Sequence, residues 1–271
     1  MADEPTRVLA VANQKGGVGK TTVTVGLAEI YALHRGRRVL VIDADPQANT
    51  TEFLGVFNPE FTLNDVLYGD PDNELRVHPG AARDAIVPAG EWWHNGSGKL
   101  DVIAAERILA NRERDSMIAR ESRLRVALRG IIEEYDVVII DCPPALGLLT
   151  VNAMTVATST VLVTEPRKAS FRGVQAIART MMEVADGVND DLTVAGVVVN
   201  RWHKNRVDQE KWMRDMIEAY GDLLIQPPMP ERETFAKAQA ESRPLISFGP
   251  MARRSIEPLE RIADKVWEWS E

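Results

Sequence analysis

A short glycine-rich loop between an apolar run and a helical pattern constrains the fold of this chain more than any other feature. Residues 8–12 are apolar, glycines follow at positions 16, 17 and 19, and helical spacing begins at Thr21. Because glycine admits backbone conformations that a Cβ forbids, successive N–H groups of such a loop converge on phosphate oxygens at a helix N-terminus. The pattern predicts a strand, a phosphate-binding loop and a helix, with Lys20 on the β- and γ-phosphates and the Thr21 hydroxyl on Mg²⁺.

The loop departs from the strict phosphate-loop pattern at two positions. Gln14 stands where a glycine is expected, and Lys15 is an additional lysine. A simple turn does not explain three glycines, two lysines and two threonines within residues 15–22. The sequence Lys-Gly-Gly-Val-Gly-Lys-Thr-Thr resembles the deviant Walker A loop of the ParA/MinD family of ATPases. The resemblance implies that two protomers form a homodimer on ATP binding and that Lys15 reaches the phosphates of the partner's nucleotide. The predicted phosphate-contacting residues are Lys15, Gly16, Gly17, Val18, Gly19, Lys20, Thr21 and Thr22.

Two further apolar runs end in acidic residues. Residues 39–42 precede Asp43 and Asp45, and residues 137–140 precede Asp141. Ligands of open α/β sheets bind at the carboxyl ends of the strands. Asp141 fits a Walker B carboxylate that holds Mg²⁺ through water, because Mg²⁺ keeps several waters and takes few protein ligands. By themselves, the other two acids are more typical of solvated loop charges, and the phosphate-loop pattern reverses this balance.

The resemblance extends to three more segments. Asp-x-Asp-Pro-Gln-x-Asn is similar to the family's switch segment, which implies that Asp45 orients the attacking water and holds Mg²⁺ through water. The thirteen residues from Asp141 to Ala153 are also similar to the partition ATPases of the family. A strand that ends before residue 200 places an amide and a guanidinium at another carboxyl end, and Met-Pro-Glu-Arg follows at 229–232. The family assigns this asparagine position to the adenine, whose edge an amide can both donate to and accept from. The predicted base-contacting residues are Asn200, Arg201, Pro230 and Glu231.

Strand and helix patterns alternate along most of the chain. At 271 residues and 45% hydrophobic composition, the chain can bury one large core. We therefore expect a single domain over residues 1–271, of the α/β class, with one doubly wound and mostly parallel sheet and helices on both faces. A hairpin-like excursion is expected around residues 84–104. Its tip carries Trp92 and Trp93, which either fold back onto the body or form a partner-binding patch.

The charged stretch from 107 to 134 has apolar residues at helical intervals, which predicts a helix with a solvated face. The single cysteine, Cys142, cannot form an internal disulfide, and we expect a buried, inert thiol. No apolar run approaches the ~18 residues of a membrane span, and the first seven residues lack a signal-peptide charge pattern. We expect a cytoplasmic protein.

The formal net charge of −8 argues mildly against a nucleic-acid partner, although a local basic face can override it. Basic residues gather late in the chain, and any one of them is most simply a solvated surface charge. In partition ATPases, basic residues of the comparable regions form a face on the dimer that binds duplex DNA without sequence preference. The predicted DNA-binding residues are Lys204, Arg206, Lys211, Arg253 and Arg254.

Three classes of protein share this kind of loop. The first is a partition or cargo-positioning ATPase that is associated with the nucleoid when ATP-bound and stimulated by a ParB-like centromere-binding or adaptor protein. The second is a MinD-like membrane ATPase, which needs a basic amphipathic C-terminal helix, whereas residues 257–271 are acidic on balance. The third is metabolic. Iron–sulfur reductases need bridging cysteines that this chain lacks, and an ATP-dependent ligase remains an alternative. The sequence favours the partition ATPase and predicts no membrane partner.

Overall fold

The computed structural model describes residues 5–68, 76–94, 96–203 and 206–269. Within these ranges eight strands form one sheet, in the order β3-β4-β2-β5-β1-β6-β7-β8. Every neighbouring pair is parallel except β3 and β4, which pair antiparallel at one edge. The strands are β1 (Arg7–Ala12), β2 (Arg38–Asp43), β3 (Ile86–Pro88), β4 (Lys99–Ile103), β5 (Val137–Asp141), β6 (Ser159–Thr164), β7 (Thr193–Val199) and β8 (Leu224–Ile225).

Helices cover both faces of this sheet, so the expected α/β class and doubly wound, mostly parallel architecture are confirmed. Each inner strand alternates its side chains between two cores. Val8 and Ala10 of β1 enter one core, while Leu9 and Val11 enter the other. The first core is closed by α3 to α7, and the second by α1, α2, α8 and α9. The helices are α1 (Lys20–Glu29), α2 (Asn49–Phe53), α3 (Leu63–Leu67), α4 (Arg123–Ala127), α5 (Leu148–Val156), α6 (Lys168–Gly187), α7 (Val207–Tyr220), α8 (Glu233–Ala240) and α9 (Arg253–Trp269).

The two tryptophans between β3 and β4 have different environments. Trp93 is buried and packs edge-on against Phe53 of α2, with ring centroids 6.1 Å apart. Trp92 is 48% exposed, and the Arg243 guanidinium lies 4.0 Å from its ring centroid. One indole therefore anchors the connection to the core, and the other remains partly accessible beside a cation. The β3–β4 pair itself forms the edge of the main sheet, because β4 also pairs with β2.

The prediction of one helix across residues 107–134 is wrong. The segment forms 3₁₀ turns at Arg107–Arg114, Arg120–Ser122 and Ile132–Glu134. Its one α-helix is the five-residue α4, which lies between the second and third of these turns. Ala119 has φ 57°, which breaks a right-handed helix. Asp115 also accepts hydrogen bonds from Arg112 and Arg123 and folds the chain back on itself. Ile118 is 99% exposed, whereas Leu124, Ala127, Leu128 and Ile131 are buried, so only the second half of the periodic pattern corresponds to burial.

The C-terminal helix α9 packs its apolar face on the protein body. Leu259, Ile262, Ala263 and Val266 are at most 2% exposed in the core that α1 shares. The contact with α1 is close, because a Cβ placed on Gly26 would lie 2.5 Å from a methyl carbon of Leu259. Among the described residues, the helices are too short or too polar to cross a bilayer.

Candidate active site

The predicted phosphate loop connects β1 to α1 at the carboxyl edge of the sheet. Its conformation requires glycine at Gly17 and Gly19, which have φ values of 77° and 94°. The Asn200 amide donates to the Val18 carbonyl at 2.9 Å, and a Cβ on Gly19 would lie 1.9 Å from that amide nitrogen. Asn200 therefore supports the loop from β7, and any side chain at position 19 would displace it.

Thr21 and Asp141 meet on the floor of this loop. The Thr21 hydroxyl donates to Asp141 Oδ2 at 2.8 Å, and the Thr50 hydroxyl donates to the same oxygen at 2.5 Å. Asp141 is 1% exposed, yet no described residue makes a hydrogen bond to its Oδ1 atom. A buried carboxylate oxygen without a partner, beside a threonine hydroxyl, suits Mg²⁺, which prefers hard oxygen ligands and retains most of its water. The residues present therefore fit the metal, which the Thr21 hydroxyl and the Asp141 carboxylate would hold between them.

Asp43 lies beside Asp141 because β2 and β5 are paired in register at these two residues. Burial raises the pKa of Asp43, and the negative charge of Asp141 raises it further. Burial also raises the pKa of Asp141, although the Thr50 hydroxyl and the charge of Lys20 oppose this rise. A divalent cation bound here would favour the ionised forms of both carboxyls.

Asp43 and Asp45 have different tasks in the structure. Asp43 is fully buried, and its carboxylate accepts hydrogen bonds from the Thr51 N–H, the Thr51 hydroxyl and the Asp45 N–H at 2.8, 2.8 and 3.1 Å. Asp45 is only half-buried, and its carboxylate accepts one local bond from the Gln47 N–H. Asp43 thus holds the segment that leads into α2, while Asp45 remains accessible at the mouth of the site. This accessibility favours Asp45 for the water-orienting role.

The residues predicted to contact the base lie together. Thr22, Asn200, Arg201, Pro230 and Glu231 line one pocket. The backbone between β7 and α8 creates it, because Trp202 and Pro230 form an isolated parallel bridge. The sequence patterns did not indicate a further side of this pocket, which is formed by α8 and its N-cap residue. That side consists of Arg232, Phe235, Ala236 and Gln239. The run of good helix formers at 233–240 was the available signal.

A further carboxylate at this edge, Glu165, was also missed. It follows β6 directly, so the rule that ligands bind at strand carboxyl ends was the available signal. Its side chain is 4% exposed and forms ion pairs with Lys15 at 3.0 Å and Arg201 at 3.1 Å. Lys20 is 7% exposed, whereas the Lys15 side chain is 32% exposed at the rim of the loop. The two lysines therefore occupy distinct positions.

The residues predicted to bind DNA form two groups. Arg206 and Lys211 are exposed at α7, which packs through Met213 on one face of the sheet. Arg253 and Arg254 are exposed at the start of α9, which packs on the opposite face. Lys204 lies outside the described residues. Arg206 also lies 3.8 Å from Asp208, so part of its charge is neutralised locally.

The chain is similar to known proteins over most of its length. The AAA_31 family model, described as an AAA domain, matches residues 6–194. The chain is 35% identical over 254 residues to the chromosome partitioning protein ParA of Caulobacter vibrioides, covering 92% of this chain and 89% of that protein. It is 32% identical over 251 residues to the sporulation initiation inhibitor protein Soj of Bacillus subtilis, covering 91% and 93%.

A solved structure adds a nucleotide and a metal to the comparison. The cobyrinic acid a,c-diamide synthase of Mycobacterium smegmatis, with bound ATP analog and magnesium, is 33% identical with a TM-score of 0.71, covering 87% of this chain and 92% of that one. Our chain is accordingly an ATPase whose cofactors are ATP and Mg²⁺, as the loop predicted. With the matched domain spanning most of its length and the chromosome partitioning protein ParA at 35% identity, the chain belongs to the ParA-type ATPases of the AAA_31 family.

Proposed function

We propose that this protein is a DNA-partition ATPase that works as a nucleotide-controlled switch. ATP bridges two protomers, the dimer holds duplex DNA without sequence preference, and hydrolysis stimulated by a ParB-like partner releases the DNA. The observation that carries the proposal is the separation of the two loop lysines. Lys20 lies inside the loop, and Lys15 stands at the rim, where a neighbouring protomer's nucleotide would approach.

Each residue of the site has a role in this cycle. Lys20 and the loop N–H groups hold the phosphates of the protomer's own nucleotide, and Lys15 supplies a second cation from across the dimer. Thr21 and Asp141 would hold Mg²⁺, which neutralises phosphate charge when bound. Asp45 positions the water. The cycle needs no fast chemistry, because its product is a change of assembly state.

Binding to DNA must overcome a net charge of −8. Charges farther apart than ~8–10 Å are screened at physiological salt, so an exposed basic group can bind phosphate on an acidic protein. In the described part of the chain, the candidates are Arg206 and Lys211 beside one face of the sheet and Arg253 and Arg254 beside the other. Dimerisation would double the number of basic residues in either group. A dimer that binds duplex DNA in this way would associate with the nucleoid.

A gel-shift series with ATP, ADP and no nucleotide tests the proposal. We expect retention of duplex DNA of any sequence only with ATP, and affinity that falls as salt rises because counterions are released. Neutralising Arg206 and Lys211 should weaken binding equally on all sequences while light scattering still reports the ATP dimer. No retention of DNA by the ATP dimer at low salt would reject the partition function.

Two other functions are tested in parallel. Binding of the ATP form to anionic vesicles would favour a MinD-like membrane ATPase. The buried apolar face of α9 argues against this, because a membrane helix must present that face to lipid. Amide formation at the expense of ATP would favour a ligase, and the name of the Mycobacterium smegmatis protein justifies that assay. Positioning of a protein cargo shares the DNA-binding ATP dimer and differs only in the partner.

A further inference from the structure

Glu165 has an unusual environment for a carboxylate near a phosphate-binding loop. It is almost fully buried, and its two oxygens are divided among three cations. Oε2 lies 3.0 Å from the Lys15 ammonium and 3.7 Å from the Arg167 guanidinium, and Oε1 lies 3.1 Å from the Arg201 guanidinium. A buried charge with this many partners is fixed in position.

Two hydrogen bonds of Asn13 also hold the beginning of the phosphate loop against β6. The Lys15 N–H donates to Asn13 Oδ1 at 2.9 Å, and the Asn13 amide donates to the Val163 carbonyl at 2.5 Å. Both the backbone and the ammonium of Lys15 are therefore held within their own protomer. The proposed dimer requires that ammonium to contact the nucleotide of the other protomer, so its bond to Glu165 must first be broken.

We propose that Glu165 is a regulatory carboxylate that retains Lys15 within its own protomer until ATP phosphates compete for the ammonium. This inference rests on the proposed role of Lys15 in the dimer. Release is feasible because the buried Glu165 carboxylate keeps two of its three cationic partners when Lys15 leaves. Arg201 is itself held by the Gly17 carbonyl at 2.6 Å and stays on Oε1, and Arg167 stays near Oε2. The contact thus sets a threshold for dimerisation.

Glu165→Gln tests the threshold, because it removes the charge and keeps the side-chain shape. In an Asp45→Ala background, where hydrolysis is slow, light scattering should show half-maximal dimerisation at an ATP concentration about tenfold lower, the equivalent of ~1.4 kcal/mol for one charge-assisted hydrogen bond. Glu91→Gln makes the same change in net charge at an exposed position between β3 and β4 and should leave the midpoint unchanged.

Removing a negative charge near the phosphates can also strengthen ATP binding to the monomer. Comparing the ATP affinity of Lys15→Ala with that of Lys15→Ala/Glu165→Gln measures this gain in affinity separately from dimerisation. The proposal requires the shift in dimerisation to exceed that gain. A shift equal to it, or dimerisation that needs more ATP, would overturn the proposal.

A second experiment measures the accessibility of the Lys15 ammonium and does not depend on dimerisation. The nucleotide-free monomer is reductively methylated, and peptide mass spectrometry gives the methylation rate of Lys15. Glu165→Gln should accelerate methylation of Lys15 severalfold, whereas the rate at Lys99 should not change. An unchanged Lys15 rate would overturn the proposal even if the dimer exists. If Lys15→Ala still dimerises with ATP, the proposed function fails instead, and the methylation result still reports on the Glu165 contact.

Discussion

Asp43 and Asp45 are two residues apart, and the structure predicts opposite consequences for their removal. Asp43→Ala leaves the buried N–H and hydroxyl of Thr51 and the partly buried N–H of Asp45 without their acceptor. Each unsatisfied buried donor costs ~1–3 kcal/mol, and relief of the repulsion from Asp141 offsets part of the total. We expect a net loss of about 2 kcal/mol in the free energy of unfolding, which corresponds to a melting temperature lower by about 4 °C for a chain of this size.

Asp45→Ala removes one local hydrogen bond from a half-buried carboxylate, so the free energy of unfolding should fall by less than about 1 kcal/mol. Its steady-state ATPase rate should instead fall by about 10²-fold or more, because the water loses its positioning group, and an ATP-bound dimer should accumulate. Thermal unfolding without nucleotide and a phosphate-release assay measure the two effects separately. Normal hydrolysis by Asp45→Ala, or unchanged stability of Asp43→Ala, would refute this division of roles.

Three further predictions concern the loop, α1 and α9. Lys20→Ala should lose nucleotide binding, measured by calorimetry, whereas Lys15→Ala should bind ATP and fail to dimerise in light scattering. The Glu29 carboxylate, whose Oε1 lies 3.7 Å from His34 Nε2, raises the pKa of His34 above its ordinary value of 6.5. The stability that this pair contributes is therefore complete below pH ~6.5 and is lost as pH rises through the raised pKa. Denaturation from pH 6 to 9 should show a smaller loss of stability in His34→Gln than in wild type. Leu259→Ala should cost about 2–5 kcal/mol by opening a cavity against α1, while Ala at the 81% exposed Val207 should cost under ~0.5 kcal/mol in the same urea titration.

Much of the fold was predictable because its strands are nearly continuous apolar runs that end in polar residues. Val137–Asp141, for example, matches both the predicted strand and its terminal acid. The failure at residues 107–134 has a physical reason. Only the second half of the pattern, from Leu124 to Ile131, is buried. In the first half, Asp115 holds two arginines in a compact turn and Ile118 is exposed to solvent. Pairing between side chains overrode periodicity.

The site was predictable where a single segment carries the chemistry and was missed where several segments converge. The sheet order places β1 between β5 and β6, so the loop after β1 is flanked by Asp141 on one side and Glu165 on the other. Sequence patterns mark the end of each strand but do not give the order of strands. A glutamate after β6 therefore had no visible reason to contact a lysine 150 residues earlier. That contact connects the loop and β6 and, through Arg201, the pocket predicted to hold the base. Occupation of this pocket should therefore affect how readily Glu165 releases Lys15. Nucleotides that differ in their base should differ in the ATP-analogue concentration at which light scattering reports half-maximal dimerisation.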